Sequence, residues 1–300
     1  MDVRDSAANH VIHDAVIQQD ESLVNKLVTS GVNVNVCDWR DRPPIYKAVA
    51  QENYNICHLL LEGGANVNFK TSDNGTSPSV MQMVIEARNC SILQLLLTRG
   101  LDPNTKCRNR SALLFAATQK YSGSYPQILK MLVTWGARID AESFEAVIER
   151  GTLEIIQLFV AHGVKQTIFR DQLLLHRSLK NPRDNVFKYI LSTDRFHPEM
   201  RNDKGRTALH TAAENRRPAA MQLLIDRGVE INPIDKGGLT PLHLLALRSR
   251  RSVGSSLKCH EMLLRHGANP DIKSRLGGRT PRDISESLIK LDQLKYRKSI

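Results

Sequence analysis

Short apolar runs recur along the chain, each closing on a glycine and followed by a polar stretch. Ile56-Cys57-His58-Leu59-Leu60-Leu61 leads to Gly64, and Met221-Gln222-Leu223-Leu224-Ile225 leads to Gly228. Met262-Leu263-Leu264-Arg265-His266 leads to Gly267 in the same way. Ahead of such runs lies a second kind of block, seen most clearly as Gly205-Arg206-Thr207-Ala208-Leu209-His210-Thr211-Ala212-Ala213 and Gly238-Leu239-Thr240-Pro241-Leu242-His243. Thr or Ser at the head of this block can cap a helix through its side-chain oxygen, and Pro is suited to the first helical position. A small residue two positions after the His lets neighbouring helices approach. The apolar run then supplies a second helix, and Gly31, Gly64, Gly100, Gly136, Gly163, Gly228 and Gly267 stand where a left-handed cap would end it. The pattern therefore predicts a repeated helix, turn, helix and loop.

With the Thr of Thr-Pro-Leu-His as anchor, the equivalent positions are His10, Pro43, Ser79, Ser111, Glu142, Leu173, Thr207, Thr240 and Thr280. The steps between them are 33, 36, 32, 31, 31, 34, 33 and 40 residues, with insertions at Ser72 to Ser77, around Tyr121 to Tyr125, and at Ser249 to Ser256. This period and these blocks resemble the ankyrin-repeat family over almost the whole chain. The resemblance implies an all-α fold, an ankyrin-repeat solenoid of about eight to nine helix-turn-helix units shaped as a curved rod. One helix pair cannot bury its apolar face alone, so stability is expected to come from units stacking on their neighbours.

The match is uneven. Ala141-Glu142-Ser143-Phe144 follows Asp140 without the Gly-x-Thr-Pro loop, and Asp194 stands where the sixth unit should have its Gly. Four segments are expected: N-terminal repeats of about four units at 1–140, degenerate repeat-like units at 141–199, C-terminal repeats with a cap at 200–285, and a basic tail at 286–300. The degenerate segment is expected to be the least protected against local opening.

Composition narrows the function. At 41% hydrophobic and 24% charged residues the 300-residue chain is ordinary globular material, and aromatic content of 5% leaves a core of Leu, Ile, Val and Ala. No run approaches a membrane span, and Met1-Asp2-Val3-Arg4-Asp5 lacks the basic flank and apolar run of a secretory signal. A cytoplasmic or nuclear location is expected. Cys37, Cys57, Cys90, Cys107 and Cys259 are odd in number and widely spaced, with no C-x-x-C, which argues against disulfides and zinc. The three Asn-x-Ser/Thr matches at Asn74, Asn89 and Asn109 read as chance. Of the net charge of +11, the segment 1–199 carries +1 and 200–300 carries +10, a segregation that favours acidic partners.

No nucleophile elbow, phosphate loop, dinucleotide fingerprint or H-E-x-x-H motif occurs, so the chain is read as no enzyme, with no cofactor and no metal. Gly237-Gly238 and Gly277-Gly278 read as turns rather than phosphate cradles. Cys259, His260 and His266 lack the companions of a metal site. The resemblance gives His13, His210 and His243 the family's structural role of tying neighbouring loops together. It also places partner-binding residues at the loop tips and the end of the first helix, along the concave face. On this chain those are Trp39, Arg40, Arg42, Arg108 and Arg110 in the first half. In the second half they are Lys204, Arg206, Lys236, Leu239, Arg248 and Arg279. Trp39 beside two arginines, Arg40 and Arg42, has the composition of an interface hot spot, or else folds back on a neighbouring loop. The run Arg248-Ser249-Arg250-Arg251 is either a solvated loop or a basic contact patch.

The expected function is a monomeric, non-catalytic protein-interaction scaffold or adaptor whose partners, some with acidic surfaces, lie on the concave face. Two alternatives stand beside it: a substrate-receptor adaptor for a ubiquitin ligase, and polyanion or nucleic-acid binding by the basic C-terminal third. The lack of aromatics interleaved among those cations disfavours nucleic acid.

Overall fold

The computed structural model describes residues 3–69, 77–119, 124–164, 173–193, 197–248, 253–275 and 277–286. They divide into two compact units, one of residues 1–147 with 154–164 and the other of 148–153 with 165–300. Both are built of antiparallel helix pairs. Unit 1 carries α1 (Val3–Ile17) with α2 (Glu21–Thr29), α3 (Pro44–Ala50) with α4 (Tyr54–Glu62), α5 (Val80–Ala87) with α6 (Cys90–Thr98), and α7 (Ala112–Thr118) with α8 (Tyr125–Thr134). The helices α9 (Ala141–Arg150) and α10 (Leu153–Ala161) contribute residues to both units. Unit 2 carries α11 (Leu173–Ser178) with α12 (Asp184–Ser192), α13 (Ala208–Glu214) with α14 (Pro218–Ile225), and α15 (Pro241–Arg248) with α16 (Val253–Arg265). Residues 281–286 are helical as well. The one β-ladder among the described residues is a two-residue hairpin, β1 (Lys106–Cys107) against β2 (Arg110–Ser111).

The helix starts follow the anchors for a local reason. Ser79 and Ser111 accept hydrogen bonds from the Gln82 and Leu114 amides at 3.2 Å each, satisfying donors that the first turn leaves open. Thr207 and Thr240 stand immediately before α13 and α15. All seven glycines expected to close a helix pair have positive φ, from +72° to +89°. The turns inside the pairs were less legible: the left-handed residues there are Gln19, Glu52, Arg88 and Arg216, none of them glycine. Each such backbone costs about 1–2 kcal/mol. In three of these turns the next residue offsets the cost, because Asp20, Asn53 and Asn89 cap α2, α4 and α6 through bonds of 2.9–3.0 Å. Asn89, the first residue of one Asn-x-Ser match, is thus a helix cap.

Two features depart from the expected pattern. Helix α1 begins at Val3, well ahead of the His10 anchor, because Asp5 to Asn9 contain no breaker and include two alanines. At the unit whose loop is missing, Asp140 takes over two tasks. Its carboxylate accepts from the Ser143 amide at 2.7 Å, capping α9, and from the Ser111 hydroxyl at 2.8 Å, tying α9 to the preceding loop. In unit 2 the buried Asn181 donates to the carbonyls of Ile148 and Gly151 at 2.9 Å each. Residues 141–164 and 173–193 therefore form complete helix pairs. The Asp194 position, most of the three insertions, and the tail with Lys295, Arg297 and Lys298 lie outside the described residues.

The core is largely aliphatic, as the composition demands, with Phe144, Phe159 and Phe187 its largest fully buried side chains. Ile45, Ile56, Leu60, Met81, Leu93 and Leu96 are fully buried in unit 1, and Leu174, Phe187, Ile190, Met221 and Leu263 in unit 2. The small residues expected where helices approach, Ala15, Ala48, Ala116 and Ala212, are at most 1% exposed. Between pairs the loops are stitched by side chains. Asn68 donates to the Gly100 carbonyl at 2.7 Å and accepts from the Asp102 amide at 2.9 Å, and Asn232 does the same with Gly267 and Asn269. No helix among the described residues is long and apolar enough to cross a membrane.

Candidate functional site

The loops ahead of the Pro43, Thr207 and Thr240 anchors are fingers, each folded around one short polar side chain. In unit 1 the Asp38 carboxylate accepts from the amides of Arg40 at 2.8 Å and Arg42 at 3.0 Å, while the Asp38 amide donates to the Arg42 carbonyl at 2.9 Å. Asp41 closes the turn at φ +54°. In unit 2, Asn202 accepts from the amides of Lys204 and Arg206, and Asp235 from those of Gly237 and Leu239, at 2.8–3.1 Å. Burial alone would raise the Asp235 carboxyl, but the Leu239 amide, the Arg206 guanidinium and the Gly237 amide outweigh it and hold it below the usual carboxylate range. An Asp or Asn is used because its oxygen reaches amides two residues on.

Where the repeat carries its histidine, the ring ties its unit to the next finger. The Thr207 amide donates to His210 Nδ1 at 3.1 Å, which assigns the ring proton to Nε2, and Nε2 donates to the Leu239 carbonyl at 2.8 Å. His243 repeats this with the Thr240 amide and the Arg279 carbonyl, both at 3.1 Å. In unit 1, His13 Nε2 donates to the Val36 carbonyl at 3.0 Å. Burial pushes His210 down to about 4, against the opposing pull of its bond to Leu239. His243 is lowered by burial in the same manner. His176 was passed over in the sequence because its unit lacks the other signatures. It is buried, donates to the Met200 carbonyl at 3.1 Å, meets the Thr211 hydroxyl at 2.8 Å, and is likewise lowered by burial.

With the frame satisfied internally, the tips are what remains. Trp39 sits at the tip of its finger, 83% exposed, with the Arg40 guanidinium 4.1 Å from its ring centroid. It is therefore not folded back on a neighbouring loop. Arg42 is half-buried, with Nε 3.5 Å from Asp38 and its guanidinium over the Tyr46 ring at 5.2 Å. In the β1–β2 finger, Arg108 reaches Glu86 at 3.0 Å and Arg110 is exposed.

Unit 2 arranges its candidates differently. Arg206 is turned inward, with Nη1 2.8 Å from Glu214 and Nε 3.0 Å from Asp235. Lys204, Lys236 and Arg279 are exposed, and Leu239 is half-buried. The Lys236 amide donates to the Lys204 carbonyl at 3.0 Å, which brings those two tips together. The next finger joins them, since the Arg275 amide donates to the Gly237 carbonyl at 3.0 Å. Arg275 is exposed and was missed in the sequence, although aligning Ser274 with Asp235 puts it on the Lys236 position. Gly238 is required where these fingers touch: its φ is +73°, and a Cβ there would lie 2.6 Å from the Arg275 amide nitrogen. The Arg248 side chain and residues 249–252 lie outside the described residues.

Between the first finger of unit 2 and the helices α11 and α13 lies an open cavity of about 460 Å³ whose walls include Arg177, Lys180, Asn202, Lys204, Thr211 and Asn215. Arg177 and Lys180 both reach Glu149, at 3.1 and 2.8 Å. Among the described residues no three His, Cys, Asp or Glu side chains converge as metal ligands, and all five cysteines are free thiols. Burial raises Cys57 to about 12 and Cys259 to about 11, away from nucleophilic use.

The family model described as Ankyrin repeats (3 copies) matches residues 12–107 and 175–274. The chain is similar to an E3 ubiquitin-protein ligase of Arabidopsis thaliana, with 22% identity over 92% of the chain and 18% of that protein. It is similar to a putative ankyrin repeat protein of fowlpox virus, with 22% identity over 80% of the chain and 45% of the relative. The nuclear factor NF-kappa-B p105 subunit of Gallus gallus is 29% identical over 45% of the chain and 14% of its own length. The chain thus spans less than half the length of each of these relatives.

Proposed function

The chain belongs to the ankyrin-repeat family, and on that premise we propose that it is a non-catalytic protein-interaction scaffold or adaptor that holds partners on its finger tips and on the helices beside them. The observation that carries this reading is the division of labour inside each finger. Asp38, Asn202 and Asp235 spend their oxygens on the loop's own amides, and the histidines spend their ring N–H on a carbonyl of the next loop. The tip side chains are left over. A large aromatic held at 83% exposure by a closed turn, with a guanidinium stacked on it, is the type of anchor that dominates protein interfaces. Rigid fingers lower the entropy lost on binding. The free thiols suit a reducing compartment, so the reading includes a cytoplasmic or nuclear monomer.

The similarity to a ubiquitin-protein ligase favours a second reading, a substrate receptor working within such a ligase. Affinity capture from cells that express the protein, read by mass spectrometry, tests both. Trp39→Ala with Arg40→Ala should deplete at least one captured protein by about 10-fold or more, in keeping with a hot spot worth about 2 kcal/mol. Ligase subunits among the captured proteins would favour the second reading. A captured set indifferent to Trp39, Arg40, Lys204 and Lys236 alike would defeat the binding face proposed here.

A further inference from the structure

We infer that the three consecutive fingers of unit 2, together with the cavity beside the first of them, form a docking track for an acidic, extended protein segment. This rests on the scaffold reading and narrows it to a partner chemistry. The track is built, not only charged. The tips carrying Lys204, Lys236 and Arg275 are joined in series by backbone bonds of 3.0 Å, from the Lys236 amide to the Lys204 carbonyl and from the Arg275 amide to the Gly237 carbonyl. Gly205 and Gly238 permit this contact, since a Cβ on either would come within 3.0 Å of the neighbouring finger. One exposed cation is thereby set on each successive tip.

The local charge balance separates structural cations from available ones. Arg206 is consumed by Glu214 and Asp235, and Arg177 and Lys180 share Glu149. Lys204, Lys236 and Arg275 have no carboxylate within ion-pair distance among the described residues, whereas the exposed Lys273 and Arg279 share their field with the Asp283 carboxylate. Fixed charges on touching, preorganised loops repel one another in the free protein, so a negatively charged ligand gains by relieving them. The cavity beside Lys204 is lined by Asp203 and Glu214 as well as Asn202, Thr211 and Asn215, but Glu214 is paired with Arg206, and the neutral hydrogen-bonding groups beside Lys204 suit one carboxylate side chain.

Two features favour an acidic protein segment over nucleic acid. Asp203 stands exposed on the first tip, which would repel a continuous phosphate backbone but can be skipped by a peptide whose acids are separated. The described residues of the three fingers, 202–206, 235–239 and 274–279, include no aromatic ring on which a base could stack.

The test uses the full chain and three fluorescein-labelled probes read by anisotropy: a twelve-residue peptide alternating Glu or Asp with Gly, its Gln and Asn counterpart, and a single-stranded oligodeoxynucleotide of matched charge. The acidic peptide should bind, more weakly as salt rises, and the neutral one should not. The triple variant Lys204→Glu, Lys236→Glu and Arg275→Glu should weaken binding by about 20-fold or more. A control with the same change in net charge on exposed residues of unit 1, Arg99→Glu, Lys130→Glu and Arg138→Glu, should change it by no more than about 2-fold. Asp203→Asn should tighten it by about 2- to 3-fold. Unchanged circular dichroism melting keeps the comparison free of folding effects. No binding of the acidic peptide, equal losses in the two triple variants, or tighter binding of the oligonucleotide would each overturn the inference. Trp39-dependent capture of proteins that survives such a result would leave the scaffold reading standing, so the two failures are distinguishable.

Discussion

The fingers of unit 1 and unit 2 share one hydrogen-bond frame and differ in what they display. Asp38 in unit 1 and Asn202 in unit 2 make the same pair of bonds to the amides two and four residues on. On that common frame unit 1 shows Trp39 under a stacked Arg40, while unit 2 shows Lys204, Lys236 and Arg275 on three joined tips. The frame tolerates this because its bonds run through backbone amides, which every residue but proline possesses. A repeat fold can therefore change its recognition chemistry from one finger to the next at little cost in stability. The units also differ in their latches. Unit 2 uses His176, His210 and His243, each lowered by burial, whereas the described latch in unit 1 is the half-buried His13.

The comparison is most sharply broken at the finger contacts. Gly238→Val would put a β-branched side chain at φ +73° with its Cβ against the Arg275 amide, at an expected cost of about 4 kcal/mol. Hydrogen exchange should show unit 2 losing protection while unit 1 keeps its own. A finger of unit 1 tests the opposite direction: Asp41→Gly relieves a left-handed non-glycine residue and should stabilise by about 0.5–1 kcal/mol. That is the smallest effect expected here. Protection lost equally in both units after Gly238→Val would mean that the frame is not local.

The latches come next in size. His210→Ala leaves the Thr207 amide without its partner and takes one of two donors from the Leu239 carbonyl, which still accepts from the Asp235 amide at 2.9 Å, and a loss of about 2 kcal/mol is expected in chemical denaturation. His13→Ala, removing one bond at a half-buried site, should cost about 1 kcal/mol. Equal costs would erase the distinction between the units.

Acid offers a gentler version of the same test. For a histidine whose folded value lies below 6.5, protonation favours the unfolded chain, so its contribution is intact above that value and falls as pH drops toward the folded value, about 4 for His210. Each pH unit inside that window is worth about 1.4 kcal/mol per site at most. His210 alone should therefore cost unit 2 about 1 kcal/mol by pH ~5.5, with His176 and His243 adding in the same direction, read from the midpoint of denaturant unfolding and assigned by hydrogen exchange. Asp235 and Glu149, held below the carboxylate range against the upward push of burial by their hydrogen-bonded and cationic partners, add a further loss only at lower pH. Stability in unit 2 that is flat from neutral pH to pH ~5 would show that the latches are not buried as described.

What the sequence determined by itself was whatever depends on residues a few positions apart. Ser79 and Ser111 reach amides three residues on, and Gly64 or Gly228 turns the chain where its own backbone must take a positive φ, so the helix starts, the helix ends and the family are legible in one dimension. What only the tertiary structure decided depends mostly on partners about one repeat away. Arg206 and Lys204 are two positions apart, yet one is spent on Asp235 and Glu214 while the other is exposed on a tip. Asp140 replaces a missing loop because the Ser111 hydroxyl arrives beside it, His176 becomes a latch because Met200 presents a carbonyl, and Arg275 joins the track because Gly237 accepts its amide. Local hydrogen bonds are written in the order of the residues, but the pairing of charges is settled only when the repeats are stacked and each polar group meets whatever neighbour the stacking brings.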